Sequence, residues 1–264
     1  MSTGVEARLT RLGRDGKFVT VPMDHGITMG AVDGLKDIES TIADVTEGGA
    51  DAVLTQKGLA DRVYPNRHDA GYLVHLNGST EIGPDEAEKR QTATVEEAVR
   101  LGADGVSFHI NVGSDHEPDQ IEALSNVTER AHQLGMPVLA MAYARGPGID
   151  EHDATNLGHA VRLAEELGAD IIKTAYSGDP ESFEHVVEST SKPVIIAGGS
   201  PSSDRETLET VQDAVSVGGA GVSMGRTIFQ HPDPYAISSA IAAVVHEGFA
   251  IDVAMDRFDL PIEP

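Results

Sequence analysis

The sequence predicts an α/β protein folded as one (β/α)8 barrel domain over residues 1–264, and three observations predict it. A short motif recurs four times. Gly49-Ala50-Asp51-Ala52-Val53, Gly102-Ala103-Asp104-Gly105-Val106, Gly168-Ala169-Asp170-Ile171-Ile172 and Gly219-Ala220-Gly221-Val222 are near-copies, each following a helical pattern and leading into an apolar run. Such runs alternate with stretches of helical periodicity, the pattern of parallel strands joined by crossover helices. Eight such units fit into the 264 residues, and about 250 residues is the usual length of a closed eight-stranded barrel. An open doubly wound sheet is the other arrangement these units allow.

Each element has its own signal. Residues 5–14 carry the pattern of a short leading helix. Phe18 to Asp24 reads as the first strand and runs into His25-Gly26. Ile38, Ile42 and Val45 recur at helical spacing within residues 35–47, and Ala52 to Thr55 is the second strand. The polar stretch 61–71 is a candidate lid on length alone. Val74 to Asn77 is the third strand. Thr94-Val95-Glu96-Glu97 has the form of a helix-opening capping box, and Gly105 to Ile110 follows as the fourth strand. Ile121, Leu124, Val127, Ala131 and Leu134 mark the next helix, and Pro137 to Tyr143 the fifth strand. A helix over about 155–167 precedes the sixth strand, Ala169 to Ala175. Proline at the first helical position marks starts at Asp179-Pro180 and Asp233-Pro234. Between those starts, Pro193 to Ala197 is the seventh strand, Asp204 opens a helix, and Gly221 to Met224 is the eighth strand. The last helix reaches about residue 247, with a polar, irregular tail to Pro264.

Composition narrows the function. With 43 acidic against 19 basic residues, the net charge is -24, so a nucleic-acid partner, which needs a basic face, is not expected. The carboxylates are spread along the whole chain, which points to a high-salt cytoplasm where self-repulsion is screened. The absence of cysteine rules out disulfides, thiolate metal sites and a cysteine nucleophile. The first residues lack a basic-then-apolar leader, and no apolar run nears the ~18 residues of a membrane span. A cytoplasmic protein with no membrane partner is expected.

Barrel enzymes of this type gather their chemistry at the C-terminal ends of the strands. Those ends read Asp24-His25-Gly26, Tyr143-Ala144-Arg145-Gly146, Lys173, Gly198-Gly199-Ser200 and Gly225-Arg226. Lys173 is one of only six lysines and sits within an apolar run. Either it ends its strand and reaches solvent, or it points into the barrel. An amine kept neutral by apolar surroundings is a nucleophile for carbonyl carbon and forms a Schiff base. Asp24 and Tyr143 would then serve as its base and acid. Gly198-Gly199 and Gly225-Arg226 occupy the usual phosphate loops after strands seven and eight, where backbone N–H groups and a guanidinium meet an anion. A glycine pair alone is also an ordinary tight turn; two pairs at both expected places favour the phosphate. His25, His75 and His109, near the ends of strands one, three and four, form a rival set of metal ligands. That reading leaves Lys173 without a role, so no metal and no cofactor is expected.

Val21-Pro22-Met23-Asp24-His25-Gly26 with Gly30, Tyr143, Lys173 and the two glycine loops resemble the archaeal class I aldolase family over nearly the whole chain. Residues Val74 to Thr80 and Phe108 to Ser114 are more similar to its hept-6-ulosonate synthase branch than to its fructose-bisphosphate aldolase branch, which remains the alternative. The resemblance implies a transaldolase-type reaction of 6-deoxy-5-ketofructose 1-phosphate, a phosphorylated keto-sugar, with L-aspartate semialdehyde, feeding aromatic amino-acid biosynthesis. It implies Lys173 as nucleophile, Asp24 as proton acceptor and Tyr143 as proton donor. It also implies sugar-phosphate contacts from Asp24, His25, Gly26, Ile27 and Thr28, from Tyr143, Ala144 and Arg145, and from Gly198, Gly199, Gly225 and Arg226. A homo-oligomer built from rings, a decamer, is part of the same expectation. A phosphosugar-binding protein without catalysis is the reading from outside enzymes.

Overall fold

The structure, a computed structural model, describes residues 2–199 and 203–261. Among the described residues, eight parallel strands close into a barrel in the order of the sequence. They are β1 (Phe18–Pro22), β2 (Ala52–Gln56), β3 (Gly71–His75), β4 (Gly105–Val112), β5 (Val138–Ala144), β6 (Ile171–Thr174), β7 (Val194–Ala197) and β8 (Gly221–Ser223). Closure runs through Phe18 opposite Gly221. No helix among the described residues is long and apolar enough to cross a membrane.

Alternation along the strands divides the buried residues into two shells. Val138, Ala140 and Ala142 of β5 face the surrounding helices, whereas Leu139, Met141 and Tyr143 face the barrel axis. On β6, Ile172 faces out and Ile171 faces in, so Lys173, two residues on from Ile171, points inward too. Phe18, Leu54, Leu73, Leu139, Ile171 and Ile195 fill the lower barrel, and Leu12 from the leading helix Thr3–Leu12 plugs its floor. An apolar floor and a polar top follow from which residues occupy successive inward positions.

The recurring Gly-Ala-Asp motif has a specific use. Asp51, Asp104 and Asp170 each precede an even-numbered strand and accept a hydrogen bond from the backbone N–H of the strand before it. The donors are Val19 at 2.7 Å, Tyr72 at 3.0 Å and Val138 at 3.0 Å. Each bond spans the same 32 residues, so one βα unit is repeated with a side-chain staple at the barrel floor. In the fourth copy Gly221 takes the aspartate's place at φ +121, where a Cβ would lie 2.1 Å from the Phe18 carbonyl oxygen. There the strands approach too closely for any side chain.

Asp104 also pairs with Arg11 of the leading helix at 2.6 Å and with Arg67, itself almost fully buried, at 2.9 Å. Asp104→Ala leaves that guanidinium buried without its partner. A loss of about 3–5 kcal/mol is expected, read from urea unfolding. A loss under about 1 kcal/mol would mean the staple is dispensable.

Several expectations shift. The third strand is Gly71–His75 rather than Val74 to Asn77, because Asn77-Gly78 pairs instead with Arg90-Gln91 in a small antiparallel ladder. Asp24 lies just past β1, and His25 leads a helical turn, Gly26–Met29. The cap before the seventh crossover helix is Ser203, which forms a capping box with Glu206. The tail contains a helix, Ile251–Arg257, whose Ala254 and Met255 are buried. Stretch 61–71 is not placed as a lid: Val63 and Arg67 are buried in it, and it runs down to the barrel floor, where Arg67 meets Asp104.

Candidate active site

The strand ends surround a cavity of about 730 Å³ at the polar end of the barrel. Lys173 is 6% exposed in its wall. Its strand neighbours are Met141 of β5 and Ile195 of β7. Asp24 stands in the same wall, flanked by His25 (Nδ1 to Oδ1, 3.6 Å) and His75 (Nε2 to Oδ2, 3.6 Å). Burial works against the Asp24 charge, but His75, His25 and Lys173 together outweigh it and hold the carboxyl below its usual value. Burial is also the main cause that keeps His25 and His75 below the ordinary imidazole value, with Lys173 adding to it. At neutral pH, therefore, the imidazoles are uncharged and Asp24 is ionised, facing Lys173.

Tyr143 ends its run of inward residues at 8% exposure. The His109 ring lies 5.1 Å from its ring, and the Arg145 guanidinium covers it at 4.3 Å. His109, pushed far below the usual imidazole range chiefly by burial, bonds through Nε2 to Asn111 at 2.8 Å. His75 bonds to Ser107 at 2.7 Å. Of the three histidines of the metal reading, His25 and His75 flank Asp24, while His109 bonds to Asn111. Among the described residues no three histidine or carboxylate side chains converge as a metal site would require.

Across the mouth, Gly198 and Gly199 follow β7, and Gly225 and Arg226 follow β8; all four line the cavity. A Cβ on Gly225 would sit 2.4 Å from the His25 ring and 2.8 Å from the Pro22 carbonyl, so only glycine lets that turn close against β1. His25, Thr28 and Arg145 also line the cavity. Gly26, Ile27 and Ala144 are not in its lining: Ile27 packs on Gly78, and Ala144 lies on the outward-facing register of β5. Ser200 lies outside the described residues.

Sequence reasoning missed part of the lining. Glu81, Glu86 and Lys89 come from the long β3–β4 connection, and Tyr176 from just beyond β6. Burial first, then Asp213 and Asp179, push the Tyr176 phenol up to about 12. Lys89 is held below the usual lysine value mainly by burial. The signal in the sequence is charge: Lys89 is one of six lysines and lies in a polar connection between β3 and β4.

A lysine on the inner wall, an ionised carboxylate beside it and glycine turns opposite are what a barrel enzyme handling carbonyl carbon needs. The chain belongs to the DeoC/LacD family of aldolases, whose sequence model matches residues 18–231. It is 65% identical over 260 residues to 2-amino-3,7-dideoxy-D-threo-hept-6-ulosonate synthase of Halobacterium salinarum, covering 98% of each chain. To a class 1 fructose-bisphosphate aldolase of the same species it is 34% identical, covering 93% of this chain and 97% of the other. It superimposes with a TM-score of 0.84, at 29% identity, on an archaeal fructose-1,6-bisphosphate aldolase whose catalytic lysine is covalently bound to the carbinolamine intermediate of the substrate. That match covers 92% of this chain and 99% of the other.

Proposed function

We propose that the protein is a Schiff-base transaldolase that makes 2-amino-3,7-dideoxy-D-threo-hept-6-ulosonate from 6-deoxy-5-ketofructose 1-phosphate and L-aspartate semialdehyde. The single observation that carries the reading is Lys173, enclosed in the barrel wall and facing the ionised Asp24. The Lys173 amine adds to a ketone carbon. Tyr143 donates a proton to the carbinolamine hydroxyl, which leaves as water, and an iminium remains. Asp24 takes the proton of the hydroxyl on the substrate carbon β to the iminium as the bond between the α and β carbons breaks. The bonding pair moves into the iminium, an aldehyde departs, and a three-carbon enamine stays on the lysine. That enamine attacks the acceptor's aldehyde carbon, the new alkoxide takes the proton back, and water releases the product.

The glycine loops and Arg226 anchor the donor's phosphate on backbone N–H groups and a guanidinium. The identity of 65% to the synthase against 34% to the bisphosphate aldolase, both from one organism, favours this chemistry over glycolytic cleavage. A cytoplasmic homo-oligomer, a decamer, belongs to the same reading, and light scattering measures its size.

Borohydride reduction in the presence of the keto-sugar phosphate is expected to fix substrate on the protein, and peptide mapping is expected to place it on Lys173. Lys89, the other lysine in the cavity wall, is the informative alternative. An adduct there, or none at all, would overturn the assignment.

A further inference from the structure

The second charged arm of the cavity is left unused by the donor's phosphate. Lys89, Arg145, Glu86 and Glu151 line both the main cavity and an adjoining one of about 460 Å³. They sit over β3 to β5, away from Gly198, Gly225 and Arg226. The arm is built rather than incidental. Lys89 Nζ donates to Ser79 Oγ at 2.7 Å, and Ser79 Oγ donates to the Glu86 carbonyl at 2.7 Å. The Ala87 carbonyl accepts from Gln120 at 2.7 Å and from Asn111 at 3.2 Å. Asn77 bridges to His109 of β4 through both its amide atoms, at 2.8 and 2.9 Å. The loop is thereby fixed over the mouth with its charges in place.

Those charges are mixed. Two cations stand among the carboxylates Glu81, Asp85, Glu86, Asp115 and Glu151, and Arg145 Nε pairs with Glu151 at 2.8 Å, which leaves its two terminal nitrogens to meet a ligand. A phosphate dianion is repelled by such surroundings and is better served by the glycine loops. A zwitterion matches both signs. The product in the relative's name carries a 2-amino group on a carboxylate-bearing chain, so the acceptor that supplies it presents an ammonium and a carboxylate on adjacent atoms.

We propose that Lys89 and Arg145 bind the carboxylate, and Glu86 the ammonium, of a short α-amino acid whose side chain ends in an aldehyde, and that this aldehyde carbon reaches the enamine on Lys173. This subsite rests on the transaldolase reading, and it moves Arg145 from the phosphate to the acceptor. It makes the β3–β4 loop the determinant of acceptor choice.

The test compares L-aspartate semialdehyde with succinic semialdehyde, which lacks only the ammonium, in the wild type, Lys89→Met, Arg145→Gln and Glu86→Gln. Lys89→Met and Arg145→Gln are expected to raise KM for both acceptors roughly 10- to 100-fold, the loss of a charge-assisted hydrogen bond. Glu86→Gln is expected to raise it for L-aspartate semialdehyde alone. The borohydride adduct of the donor is expected to form normally in Lys89→Met and Glu86→Gln, which also reports that they fold. Acceptor KM values within twofold of wild type, or a donor KM that rises in step, would overturn the subsite. Calorimetry with L-homoserine, which bears the same head and no aldehyde, reads the subsite without any chemistry. Binding lost in Lys89→Met with no donor adduct in the wild type would sink the transaldolase reading and leave the subsite standing. Binding absent in the wild type sinks the subsite alone.

Discussion

Lys173→Ala is expected to lower turnover on the order of 10⁴-fold or more, because removal of a covalent nucleophile abolishes its step outright. Binding of the phosphorylated donor is expected to survive within a few-fold. The glycine loops proposed to hold the phosphate follow β7 and β8, and the backbone ladder of β6 with β7 sets Lys173 opposite Ile195. The cavity wall also limits how much the change costs in stability. Lys173 sits above the apolar floor formed by Ile171, Ile195 and Leu139, so the truncation opens space into the cavity rather than a void in packed hydrocarbon. Lys173→Met, which keeps the stem and loses the amine, separates the two effects. It should match the alanine variant in turnover and the wild type in thermal midpoint. A Lys173→Met enzyme with more than a hundredth of wild-type turnover would mean that another group, Lys89 first, forms the adduct.

How far the sequence reveals this site follows from what periodicity encodes. Strand β6 is short, with apolar neighbours on both sides, and its Ile171-Ile172-Lys173 order is enough to put the lysine on the inner face once a barrel is assumed. The three Gly-Ala-Asp copies and the one Gly-Ala-Gly copy place four strand entries with little error, since each of the three aspartates meets the equivalent backbone N–H in the strand before it. The ends of β1, β7 and β8 follow from that frame, and Asp24, Gly198, Gly225 and Arg226 with them. Residues 76–94 do not. This connection has no helical or alternating pattern, and its fold is set by long-range polar bonds: Ser79 to Lys89, Asn77 to His109, Ala87 to Gln120. Lys89 and Glu86 reach the mouth only because of those bonds, so spacing alone cannot place them. The start of β3 has a similar cause. Gly71 is chosen because a Cβ there would lie 2.4 Å from the Arg11 carbonyl of the leading helix, a contact between segments far apart in the chain.

Asp24→Asn is expected to lower kcat about 10²- to 10⁴-fold, the range for loss of a positioned acid–base group, while a borohydride adduct on Lys173 still forms. The amide is nearly isosteric but can neither take the substrate proton nor balance the iminium. Its pH behaviour identifies the environment. The folded carboxyl titrates below its usual value, so its contribution to stability is present above the unfolded value of 3.8 and is lost only as pH falls through the lower folded value. Between pH 6.5 and about 4 it stays ionised, and the groups that change are the imidazoles. His25, His75 and His109 are all held below 6.5, chiefly by burial. On acidification the unfolded chain therefore takes up protons that the folded chain refuses, and stability falls from pH 6.5 downward. Asp24 is the group that raises His25 and His75 against that burial. Without its charge their folded values drop further, the gap to the unfolded imidazole widens, and the acid loss deepens. The thermal midpoint of Asp24→Asn is thus expected to fall more steeply than that of the wild type as pH drops from 6.5 through the folded values of the two imidazoles, with little difference in slope above pH 7. Parallel curves across that range would show that the carboxylate does not hold the two imidazoles, and the charge arrangement around Lys173 would have to be redrawn.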